Sequence, residues 1–296
     1  MAENTDPRAQ LQQLLARPQI IRSLVPYDAF SARVLERAGL ELLFLGGFGM
    51  AASRYALPDL GFLGWADVVD QARRVIQAVS IPVIVDADTG FGELPQVAHT
   101  VRQLEAVGAA GVLLEDQVFP KRCGHFAGKQ VIPLDDMLRK LDVALRARRD
   151  ERMVIIARTD ARGVEGFEAA LQRAQRFAAI GVDLCFVEAP HSVTELARIA
   201  AEVPKPQLAN MLVGGVTPIL SADELERLGF KICVSPVESL GITAAALQRL
   251  THTLLTHGRV DLLQPEMLSF PQLKDLLEVD EHLHWHLTEP TPRDQG

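Results

Sequence analysis

The sequence predicts an α/β fold, a (β/α)8 barrel of the TIM type. Three observations point there. Eight short apolar, β-branched runs recur along the chain, segments of helical periodicity separate them, and polar residues gather at the C-terminal ends of the runs.

The eight candidate strands are Ile20–Tyr27, Glu41–Gly47, Pro82–Asp88, Gly111–Gln117, Met153–Asp160, Leu184–Ala189, Pro206–Leu212 and Lys231–Pro236. They read as continuous apolar runs rather than alternations, as strands buried on both faces do. Between them the periodicity predicts helices over Trp65–Val79, Leu94–Val107, Leu134–Arg148, Gly166–Ile180, Val193–Ala201 and Ser221–Leu228. In the first of these, Val68, Ala72, Val75 and Val79 recur at spacings of three and four. Glycine follows several helix ends (Gly39, Gly108, Gly181, Gly229), where a left-handed residue stops the helix cheaply. A doubly wound open sheet is the alternative, but no glycine-rich phosphate fingerprint follows the first strand. Asn4–Arg17 reads as a helix outside the repeat. Leu262–Gly296 is a C-terminal helical extension whose apolar residues, Trp285 among them, need a packing partner. The final TEPTPRDQG reads as disordered. With no internal linker, one domain spanning residues 1–296 is expected.

Composition bounds the function. The 296 residues are 48% hydrophobic, enough to bury a sizeable core. A net charge of −8 argues against nucleic acid or an anionic membrane as partner, though not against an anionic substrate at a locally positive site. Cys123, Cys185 and Cys233 are irregularly spaced and make neither a disulfide framework nor a zinc pattern, so a cytoplasmic location is expected. Neither a secretory signal nor a membrane-spanning run is visible.

The polar strand ends carry the chemistry. Strand three ends in Asp86 and Asp88, four in Glu115-Asp116-Gln117, five in Arg158-Thr159-Asp160, six in Glu188, seven in Asn210 and eight in Ser235-Pro236. Alternation places Asp86 and Asp88 on one side of their strand. Any one acid here could simply cap the following helix, but several facing one cavity repel each other unless a cation intervenes. All-oxygen ligands favour Mg²⁺ or Mn²⁺, held by one direct carboxylate and others through water. The long connection Val118–Ile132 crowds Lys121, Arg122, Cys123 and His125 into five residues. Its length marks function, and cationic neighbours are expected to lower the Cys123 pKa. Gly124 and Gly128 can hinge a closing loop. Cys185 and Cys233, inside apolar strands, read as structural. His99, His191, His252 and His257 read as ordinary packing or surface residues, and the alternation His282, His284, His286 as incidental.

With those residues in place, the chain resembles the isocitrate lyase/phosphoenolpyruvate mutase superfamily over about residues 10–255. The resemblance rests on Pro58-Asp59, Val85–Gly92 (VDADTGFG), Leu114–Gln117 (LEDQ), Pro120–His125 (PKRCGH), Ala157–Asp160 (ARTD) and Glu188–Pro190 (EAP). The KRCGH loop marks the C–C lyase members, and the phosphonate mutases lack that cysteine. Asn210–Pro218 (NMLVGGVTP) is more similar to the branch of 2,3-dimethylmalate lyase, petal death protein and oxaloacetate hydrolase than to the methylisocitrate lyases. One position departs: Gly46 stands where the superfamily usually has Ser or Thr.

The resemblance implies a Mg²⁺-dependent lyase acting on a 2-hydroxy dicarboxylate of 2-alkylmalate type by retro-aldol cleavage. Asp86, with Asp88 and Glu115 through water and Asp59 nearby, is implied to hold the metal. Arg158, Asn210, Pro236, Gly124 and the Gly46-Gly47-Phe48 backbone are implied to bind substrate. Lys121, Arg122 and His125 would supply positive charge, and Cys123 would protonate the departing fragment. The base for the hydroxyl is left open between Glu188 and a metal-bound water. The resemblance also implies an eighth helix swapped between subunits, in a dimer or a dimer of dimers. The alternatives are an oxaloacetate hydrolase or decarboxylase, a methylisocitrate lyase, a phosphonate mutase or hydrolase, and a barrel retained as a non-catalytic scaffold.

Overall fold

The computed structural model describes residues 6–287. Eight strands lie inside the eight expected runs, six trimmed at both ends and β4 and β6 at the C-terminal end only: β1 (Ile21–Leu24), β2 (Leu43–Leu45), β3 (Val83–Asp86), β4 (Gly111–Glu115), β5 (Val154–Thr159), β6 (Leu184–Val187), β7 (Leu208–Asn210) and β8 (Ile232–Ser235). They form one parallel sheet in the order β6-β5-β4-β3-β2-β1-β8-β7. The seam between β6 and β7 is joined by a parallel bridge from Cys185 to Gln207 and by the Cys185 N–H donating to the Pro206 carbonyl at 3.1 Å. An open doubly wound sheet has two free edges. This one has only a short, bridged seam, so it is a (β/α)8 barrel.

The helices are α1 (Pro7–Ala16), α2 (Ala29–Arg37), α3 (Gly47–Tyr55), α4 (Trp65–Ala78), α5 (Leu94–Ala106), α6 (Leu134–Ala147), α7 (Phe167–Ala179), α8 (Val193–Glu202), α9 (Ala222–Leu228) and α10 (Glu238–His257). The expected glycine stops are confirmed: Gly39, Gly108, Gly181 and Gly229 all take φ between 96° and 104°. Side-chain caps start others. Asp28 accepts from the Ser31 N–H and Ser192 from the Glu195 N–H, each contributing about 1 kcal/mol. Helix α3 was not expected. It starts directly at the end of β2, and its glycine-rich first turn hides a short helical period.

Two apolar layers build the barrel. An inner set, including Ile21, Leu42, Ile84, Leu113, Ile156 and Ile232, fills its interior. Leu11 of α1 joins that set with no exposed surface, so α1 closes one end. Arg8 pins it there through the carbonyls of Glu105 and Ala109. The larger outer set packs strands against helices, with Val68, Ala72 and Val75 of α4 and Val97, Val101 and Leu104 of α5 fully or almost fully buried.

The chain separates into two compact units, one through Leu240 and one from Gly241. The second contains the rest of α10, a 3₁₀ turn at Asp261–Glu266, α11 (Phe270–Leu276) and α12 (Val279–Leu287). Ile242, Leu247, Leu255 and Phe270 are large apolar side chains left exposed in it. The expectations for TEPTPRDQG and for the Trp285 and His286 side chains lie outside the described residues. Among the described residues, no helix is long and apolar enough to cross a membrane.

Candidate active site

One cavity of about 660 Å³, including its open part, sits where strand ends and loops meet. β2 delivers Gly46 and the start of α3, Gly47 and Phe48; β3 delivers Asp86; β5, Arg158; β6, Glu188; β7, Asn210; and the turn after β8, Pro236. The loop between β4 and α6 adds Lys121, Arg122, Cys123, Gly124 and His125, and Asp59 comes from the segment after α3. Asp88 and Glu115 are buried but do not line the cavity; each supports a cation that does.

The acidic side has a fixed geometry. β3 ends at Asp86, and Asp88 follows in the left-handed region at φ 47°, which Asp tolerates better than bulkier residues. The expected strand alternation therefore stops at Asp86. The Asp88 N–H turns back onto Asp86 Oδ1 at 2.9 Å. Lys121, 4% exposed, bridges Asp59 at 2.6 Å and Asp88 at 2.7 Å. Gly47 makes room for this bridge, since a Cβ there would lie 2.9 Å from Lys121 Nζ. Burial, reinforced by mutual repulsion, pushes the carboxyls of Asp86 and Glu115 up and that of Asp88 to about 7. Glu115 Oε1 is buried with no hydrogen-bond partner among the described residues.

A divalent cation would relieve all three carboxyls. Among the described residues, no three His, Cys, Asp or Glu side chains converge on a ready-made ligand cage. Hard oxygen donors without such a cage suit an ion that keeps most of its water, as Mg²⁺ does. The residues present therefore fit that ion.

The basic side centres on Arg158. Its guanidinium meets Asp160 twice (2.8 and 3.0 Å), Glu188 Oε2 at 3.1 Å and Glu115 Oε2 at 3.3 Å. Burial alone would raise the Glu188 carboxyl, but Arg158 and His125 outweigh it and hold Glu188 ionised. His125 Nε2 stands 3.4 Å from Glu188 Oε1.

The Cys123 loop is folded over this end. The Cys123 N–H donates to the Asp59 carbonyl at 3.1 Å, and Gln117 holds both the N–H and the carbonyl of Arg122. A Cβ on Gly124 would fall 2.4 Å from Arg158 Nη2, so only glycine lets the loop lie this close. A Cβ on Gly215, after β7, would meet the His125 ring at 2.8 Å, so a second loop abuts the first.

One expectation is overturned. Burial raises the Cys123 pKa, and this outweighs the help from Arg158 and the His125 backbone. The basic residues that were expected to lower it are turned elsewhere: Lys121 to Asp59 and Asp88, and Arg122 outward to the Ala127 carbonyl. The thiol stays protonated, which disfavours a nucleophile and favours a proton donor. In the metal-free protein, iodoacetamide labelling of Cys123 should therefore accelerate only above the pH, about 8.5, at which an exposed thiol ionises. A labelling midpoint below pH 8, read by peptide mass spectrometry, contradicts this.

The remaining wall, unremarked in the sequence, is apolar: Val25, Phe44, Phe186, Leu208, Leu212 and Val234. These residues sit inside continuous hydrophobic runs, where nothing separates a core residue from a cavity wall. At Gly46 a Cβ would meet only Val25 Cγ1 at 3.6 Å, an ordinary contact. A side chain fits there, and glycine leaves the space to a ligand. Asp160 was visible at a strand end and Lys129 in the long loop, but their joint contact with Arg158 and Gly124 was not.

The family profile for phosphoenolpyruvate phosphomutase matches residues 11–255. A 2,3-dimethylmalate lyase of Eubacterium barkeri is 35% identical over 92% of this chain and 94% of its own length. A 2-methylisocitrate lyase of Aeropyrum pernix is 39% identical over 92% of this chain and 87% of its own. The solved structure of oxaloacetate acetylhydrolase with the inhibitor 3,3-difluorooxalacetate superposes with a TM-score of 0.90 at 30% identity, covering 97% of this chain and 99% of that one. Barrel, site and relatives agree: this chain belongs to the phosphoenolpyruvate phosphomutase family, within the isocitrate lyase/phosphoenolpyruvate mutase superfamily.

Proposed function

We propose that the protein is a Mg²⁺-dependent carbon–carbon lyase, with Mn²⁺ able to substitute. Its substrate is a 2-hydroxy dicarboxylate of 2-alkylmalate type, released as a 2-oxo acid such as pyruvate and a carboxylate. The observation that carries this is the Cys123 thiol in one cavity with Asp86 and Arg158, where burial pushes its pKa up. Cleavage leaves a carbanion that needs a proton, and the site presents an acid for it. Enzymes of this superfamily depend on Mg²⁺ and act on small dicarboxylates.

Asp86 would hold the metal directly in this reading, with Asp88, Glu115 and Asp59 supporting it through water. The bound ion supplies Lewis-acid stabilisation of the oxygen that gains charge. Arg158 pairs with a substrate carboxylate, a match for its planar fork. The Gly47 and Phe48 backbone, Gly124, Asn210 and Pro236 complete the seat around Gly46. Glu188, kept ionised, accepts the hydroxyl proton. The C–C bond breaks with its electron pair on the departing fragment. Lys121 and His125, both in the cavity lining, face that charge, Lys121 while still paired with Asp59 and Asp88. The Arg122 guanidinium turns outward to the Ala127 carbonyl and contributes at longer range. Cys123 gives its proton to the carbon and takes one up from solvent, while Glu188 releases the hydroxyl proton to solvent, so both groups are reset and the reaction consumes no net proton. The apolar wall favours an alkyl-bearing substrate.

A second reading, hydrolysis of oxaloacetate, is favoured by the superposition on oxaloacetate acetylhydrolase. One panel decides: malate, 2-methylmalate, 2,3-dimethylmalate, methylisocitrate, isocitrate and oxaloacetate, scored with Mg²⁺ for 2-oxo acid against oxalate plus acetate, and phosphonopyruvate followed by ³¹P NMR. The alkylmalates should give the highest kcat/KM. Oxalate from oxaloacetate as the faster reaction reverses the order of the two readings, and silence on every substrate leaves only a scaffold.

The exposed Ile242, Leu247, Leu255 and Phe270 also support a homo-oligomer, a dimer of dimers exchanging the helix after β8. Light scattering that returned a single-chain mass at micromolar concentration would overturn this. Three free cysteines support a reducing, cytoplasmic location.

A further inference from the structure

Lys129 lies outside the cavity and has no part in the steps above, yet its side chain is only 5% exposed. It stands at the foot of the Cys123 loop. There the Val118 N–H donates to the Gln130 carbonyl at 2.8 Å and Gln117 pairs with Val131 in an antiparallel bridge. From this anchored foot the ammonium reaches two groups. One is the carbonyl of Gly124, the residue after Cys123. The other is Asp160 Oδ1, at 2.7 Å.

Those partners belong to the two halves of the site. Gly124 carries the loop tip, pressed so close to Arg158 that no Cβ fits between them. Asp160 holds Arg158 by two bonds from the end of β5. Arg158 in turn faces three buried carboxylates: Asp160, Glu188 and Glu115. A guanidinium committed to three anions has little attraction left for a fourth. Lys129 gives Asp160 a second counter-charge and so leaves Arg158 freer to bind a substrate carboxylate.

We propose that Lys129 is a positioning residue that couples loop closure to the substrate-binding arginine, one ammonium fixing both the Gly124 carbonyl and Asp160. It touches neither substrate nor metal and acts through Cys123 and Arg158. The inference rests on the lyase reading for its kinetic arm only.

The test compares Lys129→Met and Lys129→Arg with the native protein in two assays. The first is the iodoacetamide labelling rate of each cysteine in the folded, substrate-free protein. Losing the charged hydrogen bonds should open the loop and speed Cys123 labelling about tenfold in Lys129→Met. Cys185, fully buried with its thiol pushed up to about 12, should stay unlabelled and so reports an intact barrel. The second assay is turnover of the best substrate. Here kcat/KM should fall on the order of 100-fold, with KM up and kcat down together, because the arginine and the thiol are both displaced. Lys129→Arg, which keeps the charge, should recover a substantial part of both. Unchanged Cys123 labelling in Lys129→Met overturns the proposal whatever happens to turnover, because the loop then does not depend on Lys129. Labelling of Cys185 alongside Cys123 overturns it too, because Lys129 is then a general brace. If native protein turns over none of the substrates, the lyase reading fails, and the labelling arm still decides the role of Lys129.

Discussion

Cys123→Ser is expected to lower kcat by about 10²- to 10⁴-fold while Mg²⁺-dependent pyruvate binding keeps its native affinity. The exchange replaces sulfur with oxygen and changes little in shape, so the loop should still close on the Asp59 carbonyl and on Gly124's contact with Arg158. What changes is acidity. A serine hydroxyl is a far weaker acid than a thiol, even one raised by burial, and it cannot protonate a carbanion at a useful rate. Pyruvate binding needs only the metal side and Arg158, neither of which Cys123 supports. Kinetics give the first quantity and calorimetric titration of pyruvate with Mg²⁺ the second. Native-like turnover would remove Cys123 as the acid, and an equal loss of pyruvate affinity would show that the residue shapes the site rather than donating to the reaction.

The barrel was legible because its signals are local and repeated. Each strand lies inside an apolar run, and the glycine stops at Gly39, Gly108, Gly181 and Gly229 take the left-handed conformation their position demands. Helix α3 was missed because Gly47-Phe48-Gly49 reads as a turn, although its backbone forms part of the cavity. The cavity-lining residues at strand ends, Asp86, Arg158, Glu188 and Asn210, were legible through a geometric rule, that barrel chemistry sits at the C-terminal strand ends, whereas Asp59 and the Gly46–Phe48 backbone were reached only through the resemblance. That rule names residues, not their charge states. Sequence adjacency put Lys121 and Arg122 beside Cys123 and suggested a lowered thiol pKa. In three dimensions the Lys121 ammonium is spent on Asp59 and Asp88, 121 and 88 being neighbours only through folding. Burial then dominates the thiol. The link from Lys129 to Asp160 has the same origin, since 31 positions separate residues that share one hydrogen bond.

Arg158→Met should be the most destabilising single change at this end of the barrel, costing about 3–5 kcal/mol at pH 7 as well as abolishing turnover. The reason is what remains behind. Burial alone would raise the Asp160 carboxyl, but Arg158 and Lys129 outweigh it and hold it well below the usual carboxylate range, and Arg158 likewise leads in holding Glu188 down. Among the described residues, removing the guanidinium leaves Asp160 with Lys129 as its one cationic partner and Glu188 with His125 and the Ala189 N–H, while Glu115, already raised, loses the largest of its attractions. The sign of the pH dependence follows. Carboxyls depressed in the folded state add stability above their unfolded pKa values, near 4, and lose it as pH falls through the folded values. Without the guanidinium, burial lifts the orphaned acids above their unfolded values in the folded variant. The native advantage over Arg158→Met is therefore largest at neutral pH and above. It begins to shrink before about pH 4 is reached, as those acids take up protons, and goes on shrinking as pH falls towards the depressed native values. Urea denaturation of both proteins at pH 7 and across the acid range measures the gap. A loss under 1 kcal/mol at pH 7, or a gap that widens on acidification, means that Arg158 is not the counter-charge on which these buried acids depend.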